Sequence, residues 1–284
     1  MIEWLFQQSL VTTFFVVCLL LFRRPIRAQI GAIGLYKIWC LIPLLVAGSL
    51  VFLIYHPTDR VTFSSLITEP YLYSHQVISQ YNTPFLLFWT TGALIVLCAI
   101  SLLHFRFLRM LSTASYLKGV CFLRNIASER TRVPVYISNK IDQPMSVGIL
   151  RPKIFIPNTF SQLPHKQQSL ILEHEWVHCN RRDGLWNAIF LITLCIFWFS
   201  PIIWWGYLCF RNEQELSCDS HVLKGKTVKT RAVYANMFLK YASSASTISF
   251  SIMGYGSGTR VKERILNIKS EIHFNKTLLR IIAT

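Results

Sequence analysis

Acidic side chains are scarce in this chain of 284 residues: 13 Asp and Glu stand against 29 Lys and Arg, and charged residues make up only 15%. With 52% apolar residues, that low charge excludes an ordinary soluble domain of this size. None of the eight cysteines is spaced as CxxC, which excludes a thioredoxin-like redox pair and a cysteine-built zinc ribbon. Cys18, Cys40, Cys98, Cys195 and Cys209 fall in apolar segments and Cys121, Cys179 and Cys218 between them; all read as reduced packing residues. No positive residue precedes the first apolar run and no small-residue cleavage site follows it, so a removable signal peptide is not expected. The net charge of +16 has no recognition motif beside it, and no direct nucleic-acid contact is expected.

What is present is segmental. Leu5 to Phe22, Trp39 to Ile54 (extending back through Ile30 to Tyr36) and the uncharged run Pro84 to Leu103 each approach the length of about 20 helical residues that crosses a bilayer. Three transmembrane helices within residues 1–105 follow, with the lipid bilayer as partner. Arg23, Arg24, Arg27 and Lys37 mark the first loop as cytoplasmic, whereas in the loop from His56 to Asn82 Arg60 is balanced by Asp59 and Glu69. Arg106, Arg109, Lys118, Arg124, Arg130 and Arg132 then follow the third span against Glu129 alone. The expected topology has the amino terminus outside and everything past residue 105 in the cytoplasm, in the plasma (inner) membrane of a multi-pass protein.

Beyond Val133 the pattern changes to short strands: Val133 to Ser138, Met145 to Leu150 and Lys153 to Pro157, with Gly148 and Arg151-Pro152 suited to a hairpin turn. Such a small sheet either leaves an edge free for an extended peptide or packs beneath a helix. Ser161 as cap and Pro164 in the first turn open a helix that Asp183-Gly184 closes, with Arg181 and Arg182 at its carboxyl end. On it, His174-Glu175-Trp176-Val177-His178 places two histidines one turn apart, able to share one zinc ion. Glu175 sits where a water polarised by that ion would lose its proton, the general-base role. The third ligand is expected from Glu215, with Asp219 one turn on as a carboxylate orienting a ligand histidine. Glu213 competes for the ligand role but projects about 200° away from Glu215 on a helix. His221 is a possible donor to the transition-state oxyanion, weighed against a solvated or core histidine. Cys179 points off the ligand face and Cys218 toward it; neither is given a metal role.

Leu185 to Phe210 is long enough to suggest a fourth span. His178 precedes it and Glu215 follows it, however, so if both hold one ion the chain must return to the same side. With a break at Pro201, its limbs of about 15 and 10 residues would reach roughly 22 and 15 Å, which reads as a helical hairpin dipping into the bilayer or packed on the spans. Trp198, Trp204, Trp205 and Tyr207 would sit at an interface or fill the space between the limbs.

These residues resemble the BlaR/MecR-type integral membrane zinc metallopeptidases of the gluzincin group. The resemblance rests on Val133-Pro134-Val135-Tyr136, Gln143 to Gly148, Pro152 to Pro157, the HExxH motif followed by Arg182-Asp183, Phe197 to Pro201, Glu213 to Asp219 and Arg260 to Leu266, and covers roughly residues 85–270. It implies an α+β membrane protein: a membrane domain over 1–105, and a cytoplasmic gluzincin-like zinc metallopeptidase domain over 106–270 that includes the hairpin 185–210. A carboxyl-terminal tail, 271–284, would follow. The resemblance further implies a signalling endopeptidase that cleaves a cytoplasmic protein such as a transcriptional repressor, and sometimes itself. Receptors of this type continue into another span and an extracellular penicillin-binding sensor; this sequence ends after Leu278 to Ile282, and direct beta-lactam sensing is not expected of it. The contrasting expectation is a non-proteolytic membrane signalling or scaffold protein with a structural zinc site, against which the free carboxylate of Glu175 argues.

Overall fold

The computed structural model describes residues 2–55, 82–116, 133–244 and 262–268. The loop beginning at His56, Cys121, the basic residues Lys118, Arg124, Arg130 and Arg132, and the tail 271–284 lie outside the described residues.

The first two apolar segments join without a loop. Helix α1 (Ile2–Tyr55) runs for 54 residues and is interrupted only at Gly31, whose φ of 73° and ψ of 172° suit glycine and strain an L-residue. Packing shows that the chain folds back there. A Cβ on Gly206 would lie 2.8 Å from Val16 and 3.5 Å from Trp39, residues that a straight helix would hold about 34 Å apart. The basic residues expected in a loop are therefore helical, on either side of a one-residue turn. The physical reason is that two of them have partners on a neighbouring helix: Arg23 donates to Cys209 Sγ over 3.7 Å, and Arg27 pairs with Glu213.

Helix α2 (Asn82–Leu111) is almost wholly apolar, and its most apolar stretch leaves side chains such as Leu87, Phe88, Leu94 and Ile95 exposed. Two helical stretches, Trp4–Phe52 and Thr83–Leu111, are long and apolar enough to cross a membrane, and the first holds both limbs of α1.

A four-stranded mixed sheet follows, built from β1 (Ser115–Tyr116), β2 (Val135–Ser138), β3 (Met145–Val147) and β4 (Lys153–Pro157) in the order β1-β2-β4-β3. β2 and β4 run parallel, and the other pairs antiparallel. The hairpin expected between the second and third strands is β3–β4, but β3 stops at Val147 because Gly148 turns away with φ 123°. β4 is central and buried on both faces. Ile154 and Ile156 join the core under the HExxH helix, whereas Phe155 packs with Leu111 and Ile141 at the end of α2.

The helices that carry the site are α3 (His165–Asn180), α4 (Asp183–Ile196), α5 (Pro201–Leu223), α6 (Val228–Ser244) and the short α7 (262–268). α4 and α5 form the expected hairpin, with Phe190 stacked on Phe210 at 4.8 Å and Tyr207 beside them. Its tip lies against α2: the Trp198 indole donates to the Trp89 carbonyl over 3.2 Å and meets Phe88 at 5.6 Å. Of the other aromatics, Trp205 is exposed and Tyr207 buried. Pro201 opens α5 as its first residue. The second limb, however, is not a short one. α5 continues unbroken for 23 residues, so one rigid rod carries the chain from the hairpin tip through Glu213, Glu215 and Asp219.

Candidate metal centre

The HExxH helix begins later than Ser161 suggests. Ser161 lies in a 3-10 turn (Asn158–Gln162), Pro164 takes the cap position without a side-chain bond, and Gln168 Nε2 instead holds the Leu163 carbonyl at 2.7 Å. From His165 the helix is regular, and its inward residues Leu170, Ile171, Leu172 and Val177 pack on the sheet and on α5. His174 and His178 emerge from that face as buried rings 4.8 Å apart.

The ligand-bearing atoms converge. His174 Nε2 and His178 Nε2 stand 3.1 Å apart, with Glu215 Oε2 3.4 Å from the first and Glu215 Oε1 3.6 Å from the second. Donors around a tetrahedral ion with bonds of about 2.0–2.1 Å stand about 3.3 Å from one another, close to the separations of these three side chains. Cys218, one turn beyond Glu215, completes a buried His-His-Cys group whose ligand atoms lie within 4.8 Å of one another. Its sulfur stands 3.3 Å from the His174 carbonyl; burial would raise the thiol, but His174 and His178 pull it below its ordinary range.

The far nitrogens are also occupied. His178 Nδ1 lies 2.5 Å from Asp183 Oδ2, and His174 Nδ1 lies 2.8 Å from Tyr234 Oη, which donates in turn to Asp219 Oδ1 over 2.8 Å. With Nδ1 of each ring donating to oxygen, the Nε2 lone pairs point at the common centre. Asp219 thus reaches His174 chiefly through Tyr234, its own Oδ1 being 3.4 Å from Nδ1. Arg264 from α7 closes the far side, with Nη1 3.4 Å from Glu215 Oε2.

Asp183 does not merely close a helix, as its place in the sequence suggests. Arg182 adopts a left-handed conformation (φ 55°), unusual for a non-glycine residue, and this one-residue reversal starts α4 with the Asp183 carboxylate turned back onto His178. Arg181 braces it through a 2.5 Å bond to Oδ2 and a 2.8 Å bond to Ser217 Oγ.

The electrostatics favour positive charge at the centre. Burial works against charge on His174, but Cys218 and Glu215 beside it outweigh burial and push the ring up to about 10. His178 rises well above its ordinary value against the same burial, through Cys218, Glu215 and Asp183. Burial would raise Glu215, yet His178, His174 and Arg264 hold it well below the usual carboxylate range. A divalent cation would take over the role that protons on the histidines otherwise fill.

Among the remaining expected residues, Glu175 is buried and has no hydrogen-bond or ion-pair partner among the described residues. Glu213 faces away, held by Arg27. His221 is exposed, and no hydrogen bond or ion pair joins it to the cluster. Sequence reasoning missed Tyr234, took Asp183 only as the close of a helix and gave Arg264 no role in the site, although Asp183 and Arg264 stand in segments that carried the family resemblance.

Parts of the chain are similar to known proteins. Regulatory protein BlaR1 of Bacillus licheniformis is 30% identical over 132 residues, 45% of this chain and 22% of that protein. The methicillin resistance mecR1 protein of Staphylococcus aureus is 25% identical over 140 residues, 48% of this chain and 24% of that protein. The matched region thus spans less than a quarter of either relative. A family model described as BlaR1 peptidase M56 matches residues 3–268, and the chain belongs to that family.

Proposed function

We propose that this protein is an integral membrane zinc endopeptidase whose zinc ion is held by His174, His178 and Glu215. The observation that carries this reading is the convergence of those three donors at 3.1 to 3.6 Å while Glu175, in the same helix, keeps a carboxylate without a protein partner among the described residues. When bound, zinc acidifies water toward neutrality and polarises the scissile carbonyl. Glu175 accepts the water's proton and delivers it to the leaving amine. Asp183 holds His178, and Asp219 with Tyr234 holds His174, each fixing its ring with Nε2 facing inward. Glu215, with 23% of its side chain exposed, is the most accessible of the three donors and marks the side from which substrate approaches.

The substrate is a protein segment in extended form. β3 is an edge strand packed beside α3, so a peptide adding to its outer side would pass along the HExxH helix. In this reading α1 crosses the membrane twice and α2 once, and the basic residues Arg23, Arg24, Arg27 and Lys37 around the Gly31 turn face the cytoplasm. The amino terminus is then outside and the centre cytoplasmic, where a transcriptional repressor is the substrate that family membership favours. The test is a Glu175→Gln protein, which should keep its zinc and lose peptide cleavage by about 10² to 10⁴. Cleavage at the intact rate would instead favour a non-proteolytic scaffold with a structural zinc site.

A further inference from the structure

Tyr36 stands five residues past the Gly31 turn, in a largely apolar limb of α1, yet its hydroxyl donates to Asp183 Oδ1 over 3.0 Å. Gln214 Nε2 in turn donates to that hydroxyl over 3.2 Å, which directs the phenolic proton to the carboxylate. The other oxygen, Oδ2, is the one that holds His178 Nδ1 and Arg181. The ring itself is fixed: Phe210 stacks on it at 5.7 Å, and the Arg181 guanidinium lies 4.8 Å from its centroid. Tyr36 is 5% exposed and Asp183 3%, so solvent hardly competes for these bonds.

Packing alone would be served equally by phenylalanine. Neutralisation of Asp183 does not need the hydroxyl either, since Arg181 and His178 already face its other oxygen. What the hydroxyl adds is a second fixed point, without which the carboxylate could turn about its Cβ–Cγ bond while keeping one oxygen near Arg181. We propose that Tyr36 is a positioning residue of the metal centre: through Asp183 it fixes the orientation and tautomer of His178, making the amino-terminal helical hairpin a mechanical part of the site. A shift of that limb against α4 and α5 is then felt at a ligand. The proposal rests on the zinc reading above.

The test uses the full chain in lipid nanodiscs, with zinc affinity measured by chelator competition for the intact protein, Tyr36→Phe, Asp183→Asn and the double variant. Loss of one buried hydrogen bond predicts zinc binding weaker by about three- to tenfold in Tyr36→Phe. Asp183→Asn, which removes the histidine's direct partner, should weaken it by about 10- to 100-fold. If Tyr36 acts through Asp183, the double variant binds zinc no more weakly than Asp183→Asn alone. Unchanged affinity in Tyr36→Phe, or losses that add in the double variant, would overturn the proposal and leave Tyr36 a packing residue. Should Tyr36→Phe not fold, Gln214→Met, which removes the donor to the hydroxyl, carries the comparison with an expected loss of about twofold; unchanged affinity there overturns the proposal equally. An intact chain whose zinc binding is indifferent to His174→Ala would refute the zinc reading itself, a result distinct from either failure of Tyr36.

Discussion

Arg264 grips Asp219 through two hydrogen bonds of 2.7 Å, from Nε to Oδ2 and from Nη2 to Oδ1. The carboxylate is sealed from solvent and also accepts the Tyr234 hydroxyl, so helix α7, which follows α6 in the chain, is tied directly to the shell around His174. Removing the guanidinium leaves a buried charge without its main partner. Arg264→Gln should therefore destabilise the fold by about 3–5 kcal/mol, read from denaturant unfolding in detergent. Adding Asp219→Asn should recover part of that loss, because the carboxylate left unpaired is gone. Full additivity of the two changes would mean that the pair is not coupled.

The third ligand can be assigned by metal content alone. Glu215→Ala should lose bound zinc, while Glu213→Ala keeps it and is destabilised instead, since Arg27 then lacks its partner on α5. Cys218→Ala should also retain zinc, because His174, His178 and Glu215 supply three donors 3.1 to 3.6 Å apart without it. Zinc lost from Cys218→Ala but kept by Glu215→Ala would make the centre a His-His-Cys site.

What the sequence made legible was local or directional. Histidines at i and i+4 must share a helix face, and Glu213 and Glu215 must diverge on one, so the cluster could be anticipated before any packing was known. The residues that complete it come from elsewhere. Tyr234 lies 60 positions beyond His174 inside an unremarkable helix, and nothing local distinguishes it from a core tyrosine. Asp183 is near in sequence, but only the left-handed Arg182 turns it onto His178, a conformation that no residue preference for arginine foretells. The sequence predicts a basic loop between the first two spans, but nothing local reduces that reversal to Gly31 alone until both limbs of α1 are seen against Gly206. β1, two residues long, is too short to show alternation.

The histidines make zinc stabilisation depend on pH. In zinc-free protein, His174, raised from 6.5 to about 10, contributes stability that is complete below 6.5 and lost as pH rises through about 10. Glu215, lowered well below 4.5, contributes stability that is present above that value and fades only as pH falls through its depressed one. Zinc must displace the histidine protons, so its affinity climbs as pH rises through the same upper window. The increase in melting temperature on adding zinc should thus grow from about pH 6.5 to about pH 9 while the zinc-free protein loses stability. A zinc-induced shift that stays flat over this range would mean that the histidines are not the ligands.

The path of α4 and α5 fixes relative sidedness. α4 has 14 residues and spans about 21 Å, less than the roughly 30 Å of a hydrocarbon core, and α5 returns from the turn at Trp198 to the cluster where α3 ends. Reporter fusions at Asn180 and Thr230 should therefore give the same signal, and a cytoplasmic one in the orientation proposed above. Opposite signals would require a complete crossing between His178 and Glu215 and would rule out a shared ion.

Two glycines separate backbone strain from damage to the site. A Cβ at Gly184 would lie 2.4 Å from the Gly148 carbonyl oxygen, and since that atom is backbone, either α4 or the end of β3 must move. Gly184 adjoins Asp183, so the displacement reaches the bond to His178. Gly225, by contrast, has a left-handed φ of 71° and nothing within 4 Å of an added Cβ. Gly184→Ala should cost about 1–3 kcal/mol and weaken zinc binding, through overpacking. Gly225→Ala should cost about 1–2 kcal/mol, through the left-handed backbone alone, and leave zinc affinity unchanged. Unfolding and zinc titration on both variants check this: overlapping stability losses with unequal zinc affinities are expected, and intact affinity in a folded Gly184→Ala protein would show that the close approach of Gly148 to α4 does not set Asp183.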